Sequence, residues 1–253
     1  MNPLTIIIVV VVIILLIMLW RYIYIDPNTI QGLTNGQTFT IIPAASLSMN
    51  SSGIPINNFS YSIWFYVNDW NYRYGEPKVI FGRMTSSTDP NASNLDMNSV
   101  QPCPAVVLGA IENSLSVSLN CFPGIDQAYV SKTPPSSIVH TCSIGNVPIQ
   151  KWVNLIISVY GRTMDMYIDG KLVKTCLLPG IANVNNNSNL YISPQGGFNG
   201  WTSKFQYFAN PMNPQQAWNI YTQGYSNGMN LFSAYQLQVS LINNGTTSGS
   251  ITL

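Results

Sequence analysis

Short runs in which hydrophobic and polar residues alternate recur along most of this chain, and residues typical of turns separate them. Alternation with a period of two places successive side chains on opposite faces of a β-strand. Strands at this spacing predict an all-β, antiparallel jelly-roll sandwich. Nine runs qualify as candidate strands: TFTIIPA, FSYSIWFYV, KVIFGRM, PAVVLGAI, SLSVSLNCF, WVNLIISVY, TMDMYIDG, KLVKTCLL and NLYISP.

An apolar segment precedes these runs, and residues 4–20 contain no charged side chain. About 20 apolar residues are enough to span a bilayer as a helix. We therefore predict one uncleaved transmembrane anchor within residues 1–25, with lipid contact through residues 4–25. A cleaved signal peptide is the alternative, but the chain has neither the basic start nor the small-residue cleavage site that such a peptide needs. The predicted membrane-interface residues are Trp20, Arg21, Tyr22 and Tyr24.

Composition shifts divide the remainder into a polar stalk over residues 26–37, a sandwich over 38–224 and a C-terminal arm over 225–253. Residues 84–102 and 123–141 are predicted to be long irregular insertions. One short helix is predicted late in the sandwich, because Asn213, Pro214 and Gln216 form the pattern of a capping box with proline in the first turn. Gly224 is predicted to end that helix.

The stretch from residue 151 to 176 carries the clearest pattern. Asp-Gly at 169–170 predicts a two-residue hairpin turn, because both positions tolerate a positive φ. That turn sets Asp165 opposite Lys174, where opposite charges stabilise the pair of strands. The strand before it starts at Trp152, and its inward set is predicted to be Val153, Leu155, Ile157 and Val159.

Several segments, in this order, resemble the laminin G-like, concanavalin A-like jelly-roll domain: FSYSIWFYVNDW, KVIFGR, PIQKWVNLIISVYGRTMDMYIDGKLVKTCLLPG and LYISPQGGFNGWTSKFQYFANPMNPQQAWNIYTQG. The resemblance covers about residues 38–224 and concerns structural positions, so it implies a fold rather than an activity. A domain of this kind behind an N-terminal anchor is similar to virion membrane or minor capsid proteins of large icosahedral DNA viruses.

The residues needed for catalysis are missing from the pattern. Relatives that hydrolyse β-glucans use E-x-D-x-x-E, because retaining hydrolysis needs two carboxyl groups about 5 Å apart. This chain has two glutamates, Glu76 and Glu112, far apart in sequence, and His140 is its single histidine. We therefore predict no enzyme activity, no catalytic residues and no cofactor.

Calcium is a further ligand that the resemblance brings to mind, since relatives bind it through oxygen-rich loops. One loop here has suitable side chains, but a solvated loop with few carboxylates explains them better, and no metal site is predicted. The loop residues are Asp89, Asn91, Asn94 and Asp96.

Four cysteines permit two disulfides. A hairpin centred on Glu112 would set Cys103 directly opposite Cys121, and we predict that these two form one disulfide. Cys142 and Cys176 flank the central block at positions that the resemblance implies for a second pair. Free buried thiols are the alternative for either pair, particularly in a reducing compartment.

Function follows from the combination of anchor, fold and missing chemistry. Only 8% of residues are charged, against roughly 25% in ordinary soluble proteins, and the net charge of +1 excludes a basic nucleic-acid surface. We expect a structural protein that links an internal viral membrane to the capsid shell, with its C-terminal domain facing the capsid. The alternative is a lectin-like attachment or cell-surface module. The predicted contact residues for a glycan or a protein are Trp70, Tyr72, Arg73 and Tyr74.

Overall fold

The computed structural model describes residues 26–47, 57–84, 101–124, 137–226, 238–243 and 246–252, together with positions 10, 12–17 and 19. Contacts divide the chain into two units. Pro27–Tyr225 forms one unit, and Met1–Asp26 with Ser226–Leu253 forms the other. The first unit is a sandwich of two antiparallel sheets with a hydrophobic core between them.

The elements follow the chain in this order: β1 (Thr29–Gln31), β2 (Thr34–Asn35), β3 (Thr40–Ile42), β4 (Phe59–Asp69), β5 (Lys78–Met84), β6 (Pro102–Leu108), β7 (Ser114–Cys121), β8 (Ile138–Gly145), β9 (Trp152–Tyr160), β10 (Thr163–Ile168), β11 (Lys171–Leu177), β12 (Leu190–Ile192), β13 (Asn199–Phe208), α1 (Pro214–Thr222), β14 (Gln238–Asn243) and β15 (Thr246–Thr252). Short 3-10 turns lie at Ala44–Ser46 and Pro194–Gly196.

The seven-stranded sheet has the spatial order β1-β13-β4-β9-β10-β11, and β2 also pairs with β13. The six-stranded sheet has the order β3-β12-β5-β6-β7-β8. Strand β11 is therefore at one edge of the first sheet, and β8 is at one edge of the second. Each of the nine predicted runs overlaps one of these strands, which confirms the antiparallel sandwich.

Alternation along the central strands builds the core. In β4, Ile63, Phe65 and Val67 are buried among the core residues, because they share one face of the strand. The inward set predicted for β9 is also confirmed, since all four side chains belong to the same core: Val153, Leu155, Ile157 and Val159. Pattern alone was enough here because both strands are long and central.

Three strands lie where the sequence predicts irregular chain. Strand β8 extends out of the predicted insertion 123–141, and its polar residues hide its period. The stretch 26–37, predicted as a stalk, contains β1 and β2, which both pair with β13 and so belong to the sheet. These two strands are three and two residues long, too short for any sequence period to show.

The hairpin between β10 and β11 has the predicted turn, with φ of 50° at Asp169 and 72° at Gly170. The predicted pairing of Asp165 with Lys174 is wrong. A bulge between Met166 and Tyr167 shifts the register by one residue, so that Asp165 faces Thr175. The Thr175 hydroxyl donates a hydrogen bond to Asp165 Oδ1 over 2.6 Å.

Helix α1 begins as predicted. The Asn213 side chain accepts a hydrogen bond from the Gln216 backbone, and the Gln216 side chain accepts one from the Asn213 backbone. Pro214 occupies the first turn, and Gly224 follows the helix with φ of 76°. This reciprocal cap fixes where the helix starts on the sheet.

The second unit is described only in part. Strands β14 and β15 pair as an antiparallel hairpin, and positions 10, 12–17 and 19 are helical. Among the residues described, none forms a helix both long and apolar enough to cross a membrane. The predicted interface residues Trp20, Arg21, Tyr22 and Tyr24 lie outside the described residues.

Candidate interaction surface

The turn after β4 holds the residues predicted to contact a glycan or a protein. Trp70 is half-buried and packs against the core. The ammonium of Lys78 lies 5.1 Å from the centroid of its ring. Burial lowers the pKa of Lys78. Tyr74 alone presents a largely free ring, with 60% of its surface exposed.

The other two predicted residues tie this turn to the loop before β13. The Tyr72 hydroxyl donates a hydrogen bond to the Gly196 carbonyl oxygen over 3.1 Å. Arg73 donates to the Gln195 carbonyl oxygen and forms an ion pair with Glu76 at 2.7 Å. These side chains therefore stabilise the conformation of the turn. A partner could stack on the exposed ring of Tyr74 but not on the half-buried ring of Trp70.

The two edge strands are joined by a disulfide between Cys142 of β8 and Cys176 of β11, with Cα atoms 6.4 Å apart. This bond confirms the predicted pair and connects the two sheets at one side of the sandwich. The Lys174 ammonium adds a hydrogen bond across the same edge, to the Ser143 carbonyl oxygen at 2.7 Å.

Cys103 and Cys121 are free and buried rather than joined as predicted. The ladder pairs Ala105 with Ser118, and continuing it by two residues sets Cys103 opposite Asn120. The predicted register was therefore off by one residue, so the two cysteines are not directly opposite each other, although both side chains are buried in the same core.

We expect both thiols to be unreactive in the folded chain. Burial raises the pKa of Cys103, and it raises the pKa of Cys121 to about 11, so little thiolate exists at neutral pH. A thiol reagent at pH 8 should modify no cysteine in the native chain. After unfolding in denaturant without reductant, it should modify two cysteines, Cys103 and Cys121. Rapid labelling of native protein, or four reactive thiols after unfolding, would contradict these assignments.

The two glutamates and the single histidine occupy separate places in the fold and form no catalytic group. Glu76 is ion-paired with Arg73, and Glu112 lies in the turn between β6 and β7. His140, predicted to lie in a loop, is instead in β8 opposite Leu119. Within the described part of the chain, no cluster of three metal-ligating side chains occurs. The calcium candidates Asp89, Asn91, Asn94 and Asp96 lie outside the described residues.

A buried arginine also has a structural role. Arg83 at the end of β5 is 4% exposed and donates hydrogen bonds to the carbonyl oxygens of Asn186 and Ser188, each at 3.3 Å. Burial raises the pKa of Tyr61 and Tyr207, and the positive charge of Arg83 opposes both shifts. These phenols are therefore neutral at ordinary pH.

A row of aromatic rings lies on the outer face of the seven-stranded sheet, and no sequence pattern predicted it. We call it the aromatic row, and its members in order of contact are Trp218, Tyr221, Trp64, Tyr225, Trp152 and Tyr66. Adjacent ring centroids are 4.6 to 6.0 Å apart. Such spacing is favourable for stacked and edge-to-face aromatic pairs.

Strand alternation and helix α1 position these rings. Trp64 and Tyr66 occupy β4 positions between the core residues, so they point away from the core. Trp64 is 4% exposed because Tyr221 stacks on it at 5.6 Å and Tyr225 meets it at 6.0 Å. Trp152 stands opposite Tyr66 in the neighbouring strand.

The segment that follows the helix is held against β13. The Ser203 hydroxyl donates a hydrogen bond to the Tyr225 carbonyl oxygen over 2.6 Å, and the Lys204 ammonium donates one to Gln223 over 2.9 Å. Tyr225 can then stack on Trp152 with centroids 4.6 Å apart and ring planes 8° from parallel.

The aromatic row is exposed at Trp218, which forms one end, at Tyr225 within the row, and beside the row at Trp201. Trp218 and Tyr225 are each 43% exposed, and Trp201, which pairs with Tyr66 in the sheet register, is 44% exposed. The rings come from residues far apart in the sequence, and the one available signal was the outward position of Trp64 and Tyr66 in β4. The arrangement offers an aromatic surface whose rings pack against one another.

No family model and no curated protein matches this chain. Solved structures similar to it include an HCR/D mutant, with TM-score 0.49 and 12% identity over 75% of this chain and 42% of that one. The botulinum neurotoxin serotype G binding domain gives TM-score 0.47 and 13% identity over 75% and 46%. The binding domain of botulinum neurotoxin DC in complex with SialylT gives TM-score 0.44 and 16% identity over 66% and 36%. This chain thus spans less than half of each of these three structures.

Proposed function

We propose that this chain is a non-enzymatic structural protein that anchors in a membrane and binds a protein shell through its sandwich. Following the sequence resemblance, we assign it as a minor capsid or virion membrane component with a laminin G-like, concanavalin A-like domain. The shell-facing surface in this proposal is the aromatic row with Trp201. The membrane is internal to the particle, and the sandwich lies on the capsid side.

The observation that carries the proposal is the exposure of stacked aromatic rings on a rigid sheet. The centres of protein interfaces are enriched in tyrosine and tryptophan and depleted in charge. Trp201, Trp218 and Tyr225 expose nearly half of their surfaces. Ring contacts with Tyr221 and Trp152 hold Trp218 and Tyr225 in place. Such rings bind a partner with little loss of conformational entropy, because each has only two χ angles.

The N-terminal segment supports the membrane part of the proposal. Its described helical positions carry apolar side chains that are 48% to 58% exposed. Positions 12–17 cover more than one and a half turns, so apolar groups face every direction around the helix. A helix that is apolar all round is typical of a membrane span or a buried core helix.

Purified particles that contain the chain provide the test. Protease should degrade the sandwich only after the shell has been stripped, and detergent should be needed to extract the chain from the membrane. Replacing two exposed rings, Trp201→Ala with Tyr225→Ala, should lower the number of copies per particle. Each central aromatic contact contributes about 2 kcal/mol, which is about thirtyfold in affinity.

Tyr74→Ala is the matched control, because Tyr74 is more exposed than either substituted ring but lies in the turn after β4, outside the row. Equal copy numbers in the double variant and the control, measured by quantitative mass spectrometry, would contradict binding through the row. Protease sensitivity of the sandwich in intact particles would contradict its place beneath a shell.

Glycan binding is the second candidate function, and the exposed faces of Trp201 and Tyr225 favour it, since flat aromatic rings also stack on sugars. The full chain in detergent micelles can be applied to a glycan array. Binding lost in the double variant but kept in Tyr74→Ala would place a lectin site on the row. Binding lost in Tyr74→Ala alone would place it in the turn from Trp70 to Tyr74.

A further inference from the structure

The chain enters the sandwich from its N-terminal segment at one end of the seven-stranded sheet. The Tyr207 backbone amide donates a hydrogen bond to the Asn28 carbonyl oxygen over 3.0 Å, so the chain joins the sheet at the end of β13. We call this end of the sandwich the basal end.

The pairing of strands shows which residues of the neighbouring strands lie at the basal end. Phe208 pairs with Ser60, at the start of β4, and the neighbouring Phe59 pairs with Val159. One step further, Thr163 pairs both with Tyr160 and with Leu177. The β9–β10 turn and the last residue of β11 are therefore at the same end of the sheet as Asn28.

Exposed apolar side chains cluster at this end. Tyr160 is 66% exposed, Leu177 is 69% exposed, and Phe122 and Ile181 are 42% and 43% exposed. One cation, Arg162, is exposed among them. We call these five residues the basal patch.

Backbone contacts show that the basal patch is continuous. The Leu178 amide donates a hydrogen bond to the Arg162 carbonyl oxygen over 2.8 Å, which joins the end of β11 to the β9–β10 turn. The Phe122 amide donates to the Ile181 carbonyl oxygen over 2.9 Å. A Cβ added to Gly124 would lie 3.8 Å from Arg162 Nη2, so the two halves of the patch are neighbours.

The chain between the apolar segment and the sandwich is short, and this limits how far the basal patch can lie from a membrane. The apolar segment runs to residue 25 and Asn28 is already bonded to β13, which leaves three residues, or about 10 Å of extended chain. The polar headgroup layer of a bilayer is itself about 5–8 Å deep on each side. A membrane-inserted segment would therefore hold the basal end against the headgroups.

We propose that the basal patch rests on the lipid headgroup layer beside the N-terminal anchor. Tyr160 and the three other apolar side chains enter the interfacial region, where an aromatic ring with a polar tip is favourable. Arg162 keeps its guanidinium at the level of the phosphates. This inference rests on the membrane anchor of the proposed function, and it assigns the sandwich a second, direct lipid contact.

Photo-crosslinking of the full chain tests the contact. The chain is reconstituted into vesicles of phosphatidylcholine and phosphatidylserine, with p-benzoylphenylalanine in place of Tyr160 or, separately, of Leu177. Tyr74 is the matched control position, since its ring is 60% exposed. It follows the far end of β4, which is 11 residues long, so about 30 Å separate it from the basal end.

Lipid adducts at positions 160 and 177 should exceed those at position 74 by at least about tenfold, because the photoreactive group at position 74 cannot reach the headgroups across about 30 Å. Chains that float with the vesicles but form no lipid adduct at 160 and 177 would overturn the basal contact and leave the anchor intact. Adducts with protein at these positions, or equal lipid adducts at position 74, would also overturn it. Chains that fail to float with the vesicles would refute the anchor and the basal contact together.

Discussion

Trp64→Ala should lower the free energy of unfolding by about 3 kcal/mol, within the range for removing a large buried side chain. Trp64 is 4% exposed and stacks beneath Tyr221 and Tyr225, so its loss leaves a cavity between the sheet and the chain segment that covers it. Denaturant unfolding of the full chain in detergent micelles, followed by circular dichroism, measures the change.

Two further variants separate stacking from other effects at this position. Among the described residues, the Trp64 indole N–H is buried without a hydrogen-bond acceptor. Trp64→Phe keeps a stacked ring and removes that unpaired donor, so it should recover most of the lost stability. Trp218→Ala, at the exposed end of the row, should cost less than about 1 kcal/mol. Equal losses for Trp64→Ala and Trp218→Ala would show that the centre of the row is not packed as described.

Replacing both cysteines of the disulfide, Cys142→Ala with Cys176→Ala, should destabilise the sandwich by about 3 kcal/mol. The bond closes a loop across 34 positions of sequence and restricts the unfolded chain. It also joins the edge strands β8 and β11, where the Lys174 hydrogen bond to Ser143 is exposed and contributes little by itself.

Reductant supplies the control for the disulfide. The unfolding midpoint of the wild-type chain should fall in dithiothreitol to that of the double variant, and the variant should not respond to reductant. Because Cys103 and Cys121 are already free thiols, they do not add to the difference. A wild-type chain with the same midpoint in both conditions would contradict a stabilising bond.

The sequence was sufficient for the long central strands and for the helix cap. Residues such as Ile63 and Phe65 alternate with outward side chains over eleven positions in β4, and local pattern decides such a strand. Asn213 and Gln216 satisfy each other within one turn, so their contact is also local. Pattern succeeds where the interacting residues are close in the chain.

Features that depend on register or on distant residues were not accessible in this way. The bulge between Met166 and Tyr167 moves Asp165 from Lys174 to Thr175. A one-residue shift in register sets Cys103 opposite Asn120 instead of Cys121. Strand β1 exists only because β13 is beside it. The aromatic row combines three separate segments of the chain, and no spacing in the sequence relates them.

The short strand β1 has a mechanical consequence for a tethered protein. Tension on the N-terminal segment would reach the sandwich first at Thr29–Gln31, an edge strand of three residues paired with β13 alone. Such a strand can separate one hydrogen bond at a time. The disulfide gives it no support, because that bond joins the edge strands β8 and β11. Release of residues 27–39 would lengthen the tether by about 40 Å. If the chain links a membrane to a shell as proposed, separation of the two would stretch residues 27–39 before any load reached the central strands.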